Sequence, residues 1–103
     1  MCMSFESFLP FKRNMQLPAV LFVKAEWCPH CHDMAPHMKR CQQSLIDEMP
    51  VYAIDADRHK QVVQQLGVEG FPTVIVVGAD RKMREYNGAR NGAAIARFAR
   101  QYI

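Results

Sequence analysis

Apolar residues recur along this chain in two rhythms. Over residues 19–25 and 73–77 they run almost unbroken, as AVLFVKA and TVIVV, which predicts buried strands bounded by Pro18 and by turn residues. VYAID at 51–55 predicts a third strand, and 82–86, with polar alternation, a fourth after the turn Gly78-Ala79-Asp80. Elsewhere the spacing changes to three or four. Met34, Met38, Cys41 and Leu45 share one face of a helix predicted over 29–46, with a bend at Pro36. Val62, Val63 and Leu66 face inward on a helix over 58–66 closed by Gly67. Ile95, Phe98, Ala99 and Tyr102 form the stripe of a last helix capped by Asn91. Near the start, Phe5, Phe8 and Leu9 give a short helical face over 4–9 that Pro10 ends. The order predicts an α/β fold, a central mixed β-sheet flanked by helices.

A length of 103 residues suits one compact domain, 1–103, and half of the residues are apolar, enough for a real core. A net charge of +3 with scattered basic residues argues against nucleic acid as a partner. The longest apolar runs have strand length, which argues against a membrane span. The first thirteen residues, MCMSFESFLPFKR, carry an acid before any base and no apolar segment with a cleavage site, so a cytoplasmic monomer is expected. Four cysteines without an export signal do not suit a disulfide scaffold. Cys2 reads as an incidental thiol and Cys41 as a small apolar residue on a helix face.

The remaining two cysteines carry the chemistry. Trp27 to Cys31 read WCPHC and His32 follows, so the run admits a redox couple, half of a zinc site, or a haem attachment sequence. A strand before the motif and a helix after it favour the first. At a helix N-terminus, unpaired N–H groups and the dipole stabilise thiolate over thiol, and Cys28 stands there. Cys31 lies one turn inside, close enough to close a disulfide. His30 adds a group able to be cationic near neutral pH, whereas His32, His37 and His59 read as plain surface histidines.

AEWCPHC with Pro36 beyond it, then GFPT, then Tyr86-Asn87-Gly88-Ala89-Arg90, resembles the thioredoxin superfamily over nearly the whole chain. It is most similar to single redox domains of protein disulfide isomerases, with the CPHC tetrad of the periplasmic disulfide oxidase. The resemblance implies a thioredoxin fold without the strand that often opens it. It implies a cis bond between Phe71 and Pro72 facing the sulfurs, with Gly70, Phe71 and Pro72 as the substrate groove. It also implies that Arg90 swings toward the couple and favours ionisation of Cys31.

Two positions depart from the family pattern. A buried acid is usual six residues before the first cysteine, and a lysine partners it from the next strand in the isomerase domains; Phe22 and Ala53 stand at those positions here. Loss of both together is coherent, because neither leaves a stranded charge. Lys24, on the same strand face as Phe22, replaces the usual aromatic residue and is expected to tune Cys28 together with His30, while Glu26, Arg90 or water handles the Cys31 proton.

These readings predict a thiol–disulfide oxidoreductase. Cys28 attacks, Cys31 resolves, and Pro29, His30, Trp27, Lys24 and Arg90 surround the couple. Protein thiols and disulfides are the expected substrates, an upstream reductase is the expected electron donor, and the reversible disulfide serves without a bound cofactor or metal. The rivals are a redox-idle binding module of the same fold, a c-type haem protein through Cys28, Cys31 and His32, and a zinc site from Cys28, Cys31 and two of His30, His32 and His37.

Overall fold

The structure, a computed structural model, describes residues 3–4 and 17–103. The helix expected over 4–9 and the thiol of Cys2 lie outside the described residues, apart from Ser4. Among the described residues eight elements follow in order: β1 (Met3–Ser4), β2 (Ala19–Lys24), α1 (Pro29–Ser44), β3 (Val51–Asp55), α2 (Lys60–Gln65), β4 (Thr73–Val77), β5 (Met83–Tyr86) and α3 (Gly92–Arg100). The sheet order is β1-β3-β2-β4-β5. β1 and β2 run parallel to β3, and β4 pairs antiparallel with both β2 and β5. An opening strand is therefore present, contrary to the expectation of its absence. Two residues are too few to leave a periodic signal, and the apolar spacing just after them pointed to a helix instead.

Strand alternation divides the core into two. Val20 and Phe22 of β2, Val51 of β3 and Val74 and Val76 of β4 pack with Met34, Met38 and Cys41 of α1 and Ile95, Ala96 and Ala99 of α3. Residues of opposite parity, Leu21, Val23, Tyr52, Ile54, Ile75 and Val77, pack with Val63 and Leu66 on the α2 side. Both faces of the central strands are covered, which is why β2 and β4 read as continuous apolar runs rather than alternating ones.

Helix ends follow local chemistry. Pro29 occupies the first turn of α1, where its missing N–H costs nothing, and the helix continues through Pro36 to Ser44, with Leu45 as its cap. α2 is shorter than expected, and Leu66 caps it. Gly67 follows with φ +72°, its N–H bonding the Gln64 carbonyl at 3.1 Å while Val68 N–H reaches Val63 at 3.3 Å. That pair of bonds is a Schellman motif, and it needs a residue tolerant of the left-handed region. Asn91 caps α3, its side-chain oxygen accepting from Ala94 N–H at 2.8 Å. Gly92 lets α3 approach α1: a Cβ there would stand 2.8 Å from the His37 carbonyl and 2.9 Å from Cys41 N. Arg100 ties the other end, bonding both Glu48 carboxylate oxygens and Ser44. The dithiol thus sits at the N-terminal end of a helix clamped along its length.

Candidate active site

Cys28 is the N-cap of α1, with extended backbone at φ −93° and ψ 111°. Its Sγ accepts a hydrogen bond from Cys31 N–H at 3.2 Å, so the sulfur takes the place that an oxygen holds in ordinary caps. α1 has no acidic residue in its first turn to offset the dipole at that sulfur. Both cysteines are thiols and nearly covered, 4% and 3% exposed, in a small apolar nest with Ala25 and Phe71.

Cys31 is the reluctant partner. Burial pushes its thiol up to about 11, with further upward contributions from the hydrogen bond to Cys28 and the charge of Cys28. A backbone hydrogen bond with Ala25 and the positive charge of Lys24 work in the other direction. The charge of Lys24 thus bears on Cys31, beside the Cys28 to which the sequence reading assigned it. The reason lies in strand parity. Val20 and Phe22 face α1, and Lys24, of the same parity, stands on that side of the sheet at the end of β2. Its Nζ lies 3.7 Å from Glu26 Oε1, and their side chains are 34% and 70% exposed.

Around the nest, Phe71 is joined to Pro72 by a cis bond, as is Leu17 to Pro18. Trp27 packs edge-on against Phe71, ring centroids 5.8 Å apart, and its indole N–H donates to Asp57 at 3.1 Å. It is 66% exposed, so it forms a wall beside the couple and not a cover over it. The Gly70 carbonyl accepts from the Thr73 hydroxyl at 2.7 Å, which fixes the segment leading into β4. On the other side of Pro72, Arg90 lines a cleft with Met34, Thr73, Glu85 and Tyr86, and the Tyr86 hydroxyl bonds the Ala89 carbonyl at 2.6 Å.

The structure thus brings Trp27, Cys28, Cys31, Lys24, Phe71 and Pro72 together. Arg90 borders the same region through the cleft. His30 is exposed beside the couple. His32 is exposed too, and its Nε2 donates to the Glu26 carbonyl at 2.7 Å, an engagement that haem ligation through that nitrogen would have to break. His37 and His59 are half-buried, not plain surface residues. Among the described residues no three His, Cys, Asp or Glu side chains converge in a way suited to a metal ion. Asp57 escaped sequence reasoning. Its contact with Trp27 spans thirty positions, and no local spacing signals such a bond.

A dithiol at a helix start, backed by a mixed sheet and packed against the Phe71 that precedes a cis-proline, is an arrangement suited to exchanging disulfides. The Thioredoxin family model matches residues 4–101, and the chain belongs to the thioredoxin family. Protein disulfide-isomerase A6 of Mesocricetus auratus is 43% identical over 72 residues, 69% of this chain and 16% of that protein. Protein disulfide-isomerase like 2-2 of Arabidopsis thaliana is 40% identical over 79 residues, 77% of this chain and 18% of that protein. The chain thus spans about a sixth of the length of these curated relatives. Among solved structures, the first thioredoxin domain of mouse Protein disulfide-isomerase A4 matches with a TM-score of 0.75 at 26% identity, covering 94% of this chain and 68% of that one. ERdj5 form I matches with a TM-score of 0.83 at 16% identity over 99% of this chain and 15% of that one, which speaks to the fold alone. Among the described residues no helix is long and apolar enough to cross a membrane.

Proposed function

We propose that this chain is a thiol–disulfide oxidoreductase acting on protein substrates. The observation that carries the reading is the Cys31 N–H bond to Cys28 Sγ at the head of α1, which supplies a preformed donor to a sulfur that must bear negative charge. The relatives named as protein disulfide-isomerases support it. In the reducing direction Cys28 attacks a substrate disulfide, one substrate thiol departs, and a mixed disulfide forms. Cys31 then attacks Cys28 Sγ and releases the second thiol. Phe71 and Pro72 present the groove for the substrate chain, Gly70 holds its approach, and Pro29 and His30 separate the two sulfurs by one turn. No bound cofactor is needed, and a dithiol reductase would close a reductive cycle.

Relatives named as isomerases pull against a cytoplasmic setting, because disulfides persist to be rearranged only in oxidising compartments. The potential of the Cys28–Cys31 couple decides the direction. A value near about −270 mV marks a reductant, and one near about −120 mV an oxidant. Insulin reduction by dithiothreitol tests the activity itself: Cys28→Ser abolishes acceleration, and Cys31→Ser accumulates a mixed disulfide. A wild-type protein that does not accelerate insulin reduction sinks the reading.

One observation favours a second reading, a binding module with an idle couple. Cys31 is buried in an apolar nest with Ala25 and Phe71, Phe22 stands opposite Ala53 where the family pattern has charges, and the Cys31 thiol is pushed up to about 11. On that reading Cys28→Ser leaves capture of an unfolded peptide intact and insulin reduction was absent from the start.

A further inference from the structure

The resolving step poses a problem that the apolar floor creates. Cys31 sits in an apolar nest with Ala25 and Phe71, and on the α1 side of the sheet Phe22 is flanked by Ala53 on β3 and Val74 on β4, so this level of the three central strands offers no ionisable group. The groups around the couple come from elsewhere. Cys28 lies on the same turn, Lys24 comes from the end of β2 with Glu26 at its head and Asp55 opposite it on β3, Asp55 accepts from Asp57 N–H, and Asp57 is held by Trp27. The segment before β4 brings Phe71 and Pro72, and Arg90 lies in the cleft beyond Pro72 and Met34. Strand parity directs the cation Lys24 to the α1 side of the sheet, two residues past Phe22.

We propose that Lys24, steadied by Glu26, supplies the positive charge that lets buried Cys31 lose its proton during resolution. The proposal rests on the reading of Cys28 and Cys31 as a working couple. Once Cys28 is joined to substrate it carries no charge, so its repulsion of a second thiolate vanishes. Burial remains as the obstacle to ionising Cys31, and Lys24 remains as the charge opposing it. Cys31 gives its proton to solvent base at the rim. Its thiolate attacks Cys28 Sγ, the Cys28–Cys31 bond forms, the bond from Cys28 to substrate breaks, and the departing substrate thiolate takes up a proton. The enzyme dithiol is oxidised to the disulfide, and the substrate disulfide has been reduced to two thiols. Lys24 is half-exposed and ion-paired, so its effect is partly screened, and it corresponds to about a threefold to tenfold change in rate.

The test uses the full chain, with glutathione disulfide as the probe and rapid acid quench with mass analysis as the readout. Two steps are separated: formation of the Cys28–glutathione adduct, measured in a Cys31→Ser background, and its decay in protein that retains Cys31. Lys24→Met is expected to form the adduct within twofold of the wild-type rate. Its decay at pH near neutrality slows about threefold to tenfold, and the pH midpoint of decay moves upward. Lys24→Arg restores both decay rate and midpoint, which a merely structural role would not produce. Decay of Lys24→Met within twofold of wild type across the pH profile overturns the proposal, as does an equal slowing in Lys24→Arg. Failure of wild-type protein to form a Cys28-dependent adduct overturns the oxidoreductase reading and this proposal with it, an outcome distinct from normal formation with unaltered decay.

Discussion

Phe22 on β2 and Ala53 on β3 stand opposite each other in the parallel ladder, and the cluster that contains Phe22 is closed above by Met34 and Met38 of α1. The pair makes this stretch of the sheet under α1 hydrocarbon. A single acid introduced at position 22 would be buried without a partner, the arrangement that costs most.

Phe22→Glu is therefore expected to lower unfolding free energy by about 3 kcal/mol or more at neutral pH. The loss shrinks as pH falls, because a buried carboxyl is neutralised more readily than an exposed one. Adding Ala53→Lys recovers part of it by giving the carboxylate a cross-strand partner. Urea titrations of wild type, both single variants and the double variant give the coupling. A Phe22→Glu variant that unfolds at the wild-type urea concentration contradicts the apolar floor.

Much of this was legible in the sequence, and the exceptions have physical causes. β2 and β4 announced themselves through unbroken apolar runs, since each is buried on both faces. The heptad-like spacing of Met34, Met38 and Cys41 gave α1, and the placing of Cys28 at its cap followed from strand, CxxC, helix order. β1 was missed because two residues carry no period. The same-face relation of Lys24 to Phe22 was visible, but the bearing of its charge on Cys31 was not. Which of two cysteines a neighbouring charge serves depends on how α1 lies across the sheet, and that is a tertiary fact. Trp27 with Asp57 and Arg84 with Tyr102 are likewise contacts between distant segments that no local pattern encodes.

Gly92 marks the closest approach of α3 to α1. A methyl group there meets backbone atoms of His37 and Cys41 and the Cβ of Arg40, all within 2.9 Å, and none of these is the end of a flexible side chain. Gly92→Ala thus loses more from crowding than it gains in helix propensity. The expected result is destabilisation of about 1–3 kcal/mol, read as a shift in the urea midpoint at unchanged slope. A stabilised Gly92→Ala variant is inconsistent with this helix packing.

The β4–β5 loop carries an acid-sensitive clamp. Asp80 accepts two bonds from Arg84, the shorter at 2.7 Å, and one from Lys82 N–H, while the Arg84 guanidinium lies 3.9 Å over the Tyr102 ring. These bonds, chiefly that to Arg84, hold the Asp80 carboxyl down at about 2. The folded state thus keeps Asp80 ionised after the unfolded chain has begun to protonate it. The stabilisation is complete above the usual carboxylate range and is lost as pH falls toward 2. Melting temperatures recorded between mildly acidic pH and about 2 should fall more steeply for wild type than for Asp80→Asn. High salt should narrow the difference, because the group is exposed. Parallel curves for the two proteins refute the clamp.

Cys31 produces the opposite limb, at alkaline pH and in the reduced protein alone. Its thiol is raised from a usual value of 9.0 to about 11, first by burial and then by its bond to Cys28. Below the usual value both folded and unfolded chains hold the proton, and Cys31 contributes no pH dependence. As pH rises further, the unfolded chain releases the proton while the folded one retains it. Stability is therefore lost progressively until the folded thiol ionises as well. Reduced wild type should lose urea resistance across roughly pH 9 to 11 relative to Cys31→Ala, whose folded state has no such thiol to keep protonated. The oxidised protein, in which both sulfurs are bonded, should follow Cys31→Ala over that interval. If reduced wild type and Cys31→Ala keep a constant difference from neutral pH to the alkaline end, Cys31 is not held in the protonated form, and the resolving step needs no help from Lys24.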